Sequence, residues 1–240
     1  MSFLEHLDEL RSRLFRIAIV FVVVLAACWL VSDRILAFLL KPIRDHLFMG
    51  GDIIFISLTE PFMVYMKASA IAAVFVSAPY VLWQVWGFVA PGLYKTERRA
   101  GALFIVLGTA FFVAGGAFGY YVALPLTAQW LLSLGSQFKA QLTLTSAFDF
   151  ENRMLLGAGL VFEMPIIILV LSRFGIVTPG FLIRHLRMAI MVIAIAAALI
   201  TPSGDALTMT VFTLPMIALY LIGVGFAWIA AKPAARSASS

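Results

Sequence analysis

The stretch "LLGAGLVFEMPIIILVL", residues 155–171, decides the fold. An α-helix needs about 20 residues to cross about 30 Å of hydrocarbon. This run, opened by Met154, approaches that length with a single charge, Glu163, two residues before Pro165. A carboxylate at bilayer depth costs about 2.5–3.5 kcal/mol on insertion scales. The stretch therefore reads as a membrane helix that carries an acid at a cost, and the rest of the chain must say what the acid is for.

Composition agrees with a lipid solvent. Of 240 residues, 63% are hydrophobic and 12% are charged, against about 25% charged in soluble domains. The runs are continuous rather than alternating, so strands are not expected, and a lipid-embedded sheet would need a closed barrel. The expectation is an all-α membrane protein with six spans, near 14–31, 68–89, 100–124, 154–171, 188–200 and 207–231. Residues 1–231 form one transmembrane domain, and 232–240, "KPAARSASS", form a disordered cytoplasmic tail. The fifth span is short. Its 188–200 core rises only about 20 Å at 1.5 Å per residue.

Orientation follows the placement of Lys and Arg. With the amino terminus inside, Arg11, Arg13, Arg16, Lys95, Arg98, Arg99, Arg173, Arg184, Arg187, Lys232 and Arg236 lie on the inner side. Arg34, Lys41, Arg44, Lys67, Lys139 and Arg153 lie on the outer side. Eleven against six predicts both termini in the cytoplasm. Two outer segments, 32–67 and 125–153, are long and rich in Phe, Leu and Ile, which predicts short helices over the outer end.

Other signals are local. "LAAC", residues 25–28, resembles a lipoprotein processing box, but the apolar run continues past Cys28 and acids precede it, so a packing cysteine is favoured. The three histidines lie far apart, so neither a metal nor another cofactor is expected. A net charge of +5 with no basic tract points to no nucleic-acid partner. Gly115 and Gly119 take the spacing that lets helices approach closely. Pro79, Pro165 and Pro215 fall inside helices and should bend them.

Two polar clusters stand beside Glu163. "FLEHLDELRSRLFR", residues 3–16, is an amphipathic entry to the first span, with Glu9 and Arg13 spaced to pair. "WQVWGFVAPGLYKTERR", residues 83–99, holds belt-forming aromatics, a Pro91–Gly92 turn and one acid, Glu97. Glu97 is either a helix-start acid favoured by the dipole or a surface carboxylate for a cationic ligand, guanidinium before ammonium. Glu163 is either paired inside the bundle or a functional dock, and no Lys or Arg sits mid-span to pair it. A proton-coupled secondary transporter of small solutes would also use a buried acid, but it predicts repeats that are not visible. An intramembrane enzyme would need converging acids or a Ser/His/Lys set, which the spans lack, so no enzyme is expected.

"HLDELRSRL", "APYVLWQVWGFVAPGLYKTERR", "FEMP" and "TPSGDALT", in that order over nearly the whole chain, resemble TatC, the receptor core of the twin-arginine translocase. The resemblance implies a curved six-helix bundle with a concave face in the bacterial inner membrane. It implies recognition of twin-arginine signal peptides on folded cargo, and TatA- and TatB-type single-span partners. It also implies homo-oligomers within a larger complex, and transport driven by the proton-motive force without an ATP site. By the same resemblance Glu9 and Glu97 form the signal-peptide surface, shaped by Arg11, Phe88 and Leu93. Glu163 and Asp205 contact partner helices, and Pro42 is structural in the first outer loop. Leu221 and Met209 stand where many relatives carry glutamate and glutamine, and Gly204 is inserted before Asp205, which implies a reduced polar cluster there.

Overall fold

The computed structural model describes residues 3–47, 51–89, 101–201 and 203–230. The chain divides into two compact units, Met1–Gly159 and Leu160–Ser240. The tail 232–240 lies outside the described residues.

In the first unit, α1 (Phe3–Trp29) packs along α4 (Glu60–Val89), and α4 along α5 (Gly101–Phe118). Between α1 and α4 lie two short helices, α2 (Ser32–Leu39) and α3 (Lys41–Asp45), with Pro42 buried in the first turn of α3. That position suits proline, because its missing N–H has no helical acceptor there. Cys28 is buried within α1, consistent with a packing role. After α5 the helix widens into a π turn, Gly119–Ala123, and continues as α6 (Leu124–Leu134). Gly119 is required at this crossing. A Cβ on it would lie 3.0 Å from the Met154 carbonyl oxygen and 3.2 Å from the Ala158 Cβ of α7 (Leu144–Phe162).

Two polar links join α4 to α7. The Glu60 carboxylate accepts from the backbone N–H of Ile56 at 2.9 Å and of Thr145 at 2.7 Å. Two turns further along α4 and one along α7, Lys67 Nζ bonds to Asp149 Oδ1 at 2.7 Å. Beside them β1 (Asp52–Ile54) and β2 (Gln141–Thr143) pair in parallel, Ile53 opposite Leu142. This three-residue pair departs from the expectation of no strands. It satisfies backbone groups of two extended connections that no helix serves.

In the second unit, α8 (Met164–Arg173) packs along α11 (Ala206–Ala230). Gly223 allows this approach, since a Cβ there would lie 3.3 Å from the Pro165 Cα. The Ser172 hydroxyl donates to the Ala227 carbonyl at 3.4 Å. Between them run α9 (Pro179–Arg184), capped by the Thr178 hydroxyl accepting from Phe181 N–H at 3.2 Å, and α10 (Leu186–Ile200). Tyr220 fixes α9 by donating its hydroxyl to the Leu182 carbonyl at 2.9 Å.

Among the described residues, five helical stretches are long and apolar enough to cross a membrane: Glu5–Trp29, Glu60–Val89, Gly101–Leu134, Leu144–Arg173 and Ala206–Ala230. The fifth expected span, 188–200, corresponds to α10, an apolar helix of 15 residues that is shorter than these. Helix boundaries differ from the sequence expectation where charges lie. Lys67 hid the first turns of α4, and Asp149, Glu151 and Arg153 hid those of α7. Each helix starts about two turns or more before its apolar run: Lys67 and Asp149 pair with each other and Arg153 reaches the surface, while Glu151 is taken inside. The segments 32–67 and 125–153 are consequently more helical than loops.

Gly119→Val is expected to destabilise the chain by about 1–3 kcal/mol, the usual cost of overpacking. A thermal melt in detergent reads it. An unchanged midpoint would show that the α7 backbone yields instead.

Candidate functional site

At the amino-terminal end of the first unit, the chain builds a fixed carboxylate. Arg13 donates from Nε to Glu9 Oε1 at 3.0 Å and from Nη2 to the same oxygen at 2.6 Å. Its Nη1 reaches across to α4 and donates to the Gln84 side-chain oxygen at 3.1 Å and the Gln84 carbonyl at 3.3 Å. Gln84 is buried, and its Nε2 donates to the Tyr80 hydroxyl at 2.8 Å. Gly87 leaves the space that the Arg13 guanidinium fills, since a Cβ there would overlap it. The arginine thus holds Glu9 against α4.

This arrangement uses only one face of the Glu9 carboxylate. Oε2 has no hydrogen-bond partner among the described residues. It stands 3.9 Å from His6 Nδ1, and the His6 ring stacks on Phe88 with centroids 4.2 Å apart. Glu9 and Phe88 are therefore brought to one place. Arg11 is exposed and lies over Phe15 of its own helix, 5.7 Å from the ring centroid. No bond joins Arg11 to Glu9 or Phe88 among the described residues. Leu93 and Glu97 lie outside the described residues, as does the Pro91–Gly92 turn.

The second unit contains the opening acid. Glu163 sits at the break between α7 and α8, where its carbonyl accepts from Ile166 and Ile167 N–H at 3.0 Å. Pro165 is buried in the first turn of α8, so the bend falls where proline costs no internal bond. The Glu163 side chain is half-buried and Oε1 has no hydrogen-bond partner among the described residues. Pro79, by contrast, sits inside α4, which continues through it.

Asp205 is occupied differently. It caps α11, accepting at Oδ1 from the N–H of Leu207 and of Thr208, both at 3.0 Å. Oδ2 accepts from the Ser203 hydroxyl at 2.6 Å and the Thr208 hydroxyl at 2.7 Å. Gly204, at φ +60°, supplies the left-handed turn between Ser203 and the cap. Burial would raise the Asp205 carboxyl, but these donors outweigh it and hold it at about 2. Met209 is half-buried and Leu221 exposed, and neither supplies an ionisable group.

Two features escaped the sequence reading. Glu151 is 1% exposed and neither carboxylate oxygen has a hydrogen-bond partner among the described residues. Its place in a stretch with Asp149 and Arg153 made it look like a loop acid. The π turn was also hidden, since Gly119–Tyr120–Tyr121 reads as ordinary helix; only the adjacent tyrosines beside a packing glycine hint at it.

Comparison with known proteins follows the same residues. The family described as "Sec-independent protein translocase protein (TatC)" matches residues 5–215. The chain belongs to the TatC family. The TatC of Koribacter versatilis is 40% identical over 232 residues, covering 95% of this chain and 86% of that protein. The TatCy of Bacillus subtilis is 32% identical over 243 residues, covering 100% and 94%. A crystal structure of the twin-arginine translocase receptor TatC superposes with a TM-score of 0.81 at 29% identity, over 94% of this chain and 99% of that one. A second, in the detergent DDM, gives 0.82 at 29% identity over 92% and 98%. With its apolar helices, this TatC-family chain is a multi-pass membrane protein.

Replacing the cap, Asp205→Ala, is expected to cost about 0.5–2 kcal/mol. The folded Asp205 carboxyl is depressed from 3.8 to about 2. Its stabilisation is therefore complete above the unfolded value and is lost as pH falls through the folded one. The difference in melting midpoint between wild type and Asp205→Ala should narrow as pH falls from about 4 towards 2. A difference constant with pH would mean that the charge contributes nothing.

Proposed function

We propose that this chain is the receptor core of a twin-arginine translocase, binding twin-arginine signal peptides of folded proteins at its amino-terminal face. The observation that carries the reading is the Glu9 carboxylate. One oxygen is held by Arg13 and the other is without a bond, beside the His6–Phe88 stack. A carboxylate held in place loses little freedom on binding, and guanidinium is the cation that matches its geometry. A fully hydrated pair would contribute only about 0–1 kcal/mol. Partial burial of Glu9 and the aromatic stack beside it strengthen such a bond. In this reading Glu97 supplies the second carboxylate, and Arg11, Phe88 and Leu93 shape the surface.

The wider assignment rests on family membership. The two superposable crystal structures are named as the twin-arginine translocase receptor, and that role is carried to this chain here. The chain then lies in the bacterial inner membrane with both termini in the cytoplasm, an orientation supported by eleven inner against six outer basic residues. It forms homo-oligomers and assembles with TatA- and TatB-type single-span proteins for export driven by the proton-motive force. Glu163, half-buried with Oε1 enclosed and without a bond among the described residues, is the dock for a polar group on a partner helix. Asp205, whose oxygens are already engaged, serves the partner surface by fixing the start of α11.

Crosslinking of a twin-arginine signal peptide in native membranes tests the reading, with its twin-lysine version as the comparison. Glu9→Gln and Glu97→Gln are each expected to reduce crosslinking about tenfold or more, since a charge-assisted bond contributes about 1.5–3 kcal/mol. The twin-lysine peptide should behave like the variants. Equal crosslinking of both peptides to wild type and variants would overturn the site.

A further inference from the structure

The first unit carries a second feature that the receptor reading does not use. A groove of about 500 Å³ opens between α4 and α5 and is closed at one end by α2. Its walls are Ile71, Phe75 and Val76 of α4 and Val113 and Ala117 of α5, so it is almost wholly apolar. Its size lies within the range of about 300–1,000 Å³ usual for ligand sites. Arg34 stands in its lining. A second hollow of about 270 Å³ shares Phe38, Tyr120 and Tyr121 with the first and adds Lys41, Asp45 and His46. One continuous surface thus passes from hydrocarbon to charge.

The π turn makes the passage. Neighbouring residues on an α-helix diverge, but the wider turn at Gly119–Ala123 brings Tyr120 and Tyr121 to line both hollows. Tyr120 is buried, stacked on Phe38 with centroids 4.4 Å apart, and donates its hydroxyl to the Phe38 carbonyl at 2.7 Å. This locks α2 over the groove. Tyr121 is 68% exposed and set edge-on to Tyr120. Tyrosines at that level are the amphipathic residues of a membrane interface. The α1 helix ends at Trp29, so Arg34 and Lys41 also fall at the interface remote from the amino terminus.

We propose that this surface is a binding site for an anionic phospholipid, with an acyl chain in the α4–α5 groove and the phosphate between Arg34 and Lys41. Charge selects the headgroup. Arg34 and Lys41 against Asp45 leave one net positive charge, the complement of a singly charged phosphodiester. Among the described residues neither Arg34 nor Lys41 has an ion pair, and both are exposed. His46 donates from Nδ1 to the Pro42 carbonyl at 2.7 Å, which leaves Nε2 as the ring nitrogen for a ligand, an acceptor when the ring is neutral. With the Asp45 carboxylate it suits a headgroup that carries hydroxyls, as phosphatidylglycerol does. The site stands whether or not the chain binds signal peptides.

Native mass spectrometry of the full detergent-purified chain tests this, with phosphatidylglycerol and phosphatidylcholine of identical acyl chains added in turn. Wild type is expected to retain phosphatidylglycerol about fivefold or more over phosphatidylcholine, as two basic side chains at an interface predict. The double change Arg34→Gln with Lys41→Gln should abolish the preference. Ala117→Trp and Val76→Trp, which fill the groove from opposite walls at exposed positions, should each lower retention of both lipids at an unchanged melting midpoint. No headgroup preference in wild type, or retention unaffected in both folded tryptophan variants, overturns the proposal. A dimer without lipid adducts that Ala117→Trp dissociates would assign the groove to a second copy and overturn it equally.

Discussion

In hydrocarbon no water replaces a missing hydrogen bond, and each polar group left alone costs several kcal/mol. That constraint explains both the continuous helices and the few places where they are interrupted. Most polar side chains on the helices turn back to a partner in the chain. Ser69 donates to Tyr65 O, Thr201 to Ala197 O, and Arg13 divides its guanidinium between Glu9 and Gln84. The exceptions are therefore informative. Besides Thr109, Thr127 and Asn152, they are acids: Glu9 Oε2, Glu163 Oε1 and both oxygens of Glu151 lack partners among the described residues. Unsatisfied acids in such surroundings mark function more often than stability.

Glu9 and Glu163 show two ways of leaving a carboxylate oxygen without a partner among the described residues. Glu9 is held by an arginine four residues on, which spends one oxygen and orients the other. Glu163 is held by backbone alone, at a break that Pro165 makes inexpensive. Asp205 is the contrast: four donors exhaust its oxygens, and its charge stabilises a helix start. Glu151 remains the most deeply buried of these acids, in a helix whose first turns are tied to α4 by Glu60 and Lys67.

Close approach of helices rests on glycines that the sequence offers without saying which partner they meet. Gly119 admits the α7 backbone, Gly87 admits the Arg13 guanidinium and Gly223 admits α8. Only the first belongs to the small-residue spacing noticed in the sequence. The π turn beside it rearranges two tyrosines, and through them the grip of α2 on the bundle.

Hydropathy and charge placement determined by themselves that the chain is helical and membrane-embedded, that one apolar helix is short, and that Glu163 is anomalous. These follow from transfer energies, which depend on residue type and hardly on neighbours. Motif order determined the family, and Glu9 and Arg13 were legible as a pair because helical spacing alone brings them together. The tertiary structure decided the rest: Gln84 as the third member of that pair, Phe88 reached through His6, Asp205 as a filled cap, and the charged ends of α4 and α7 as helix. Each depends on contacts between residues far apart in sequence, where a charge that looks like a loop signal becomes helical once its partner is in place.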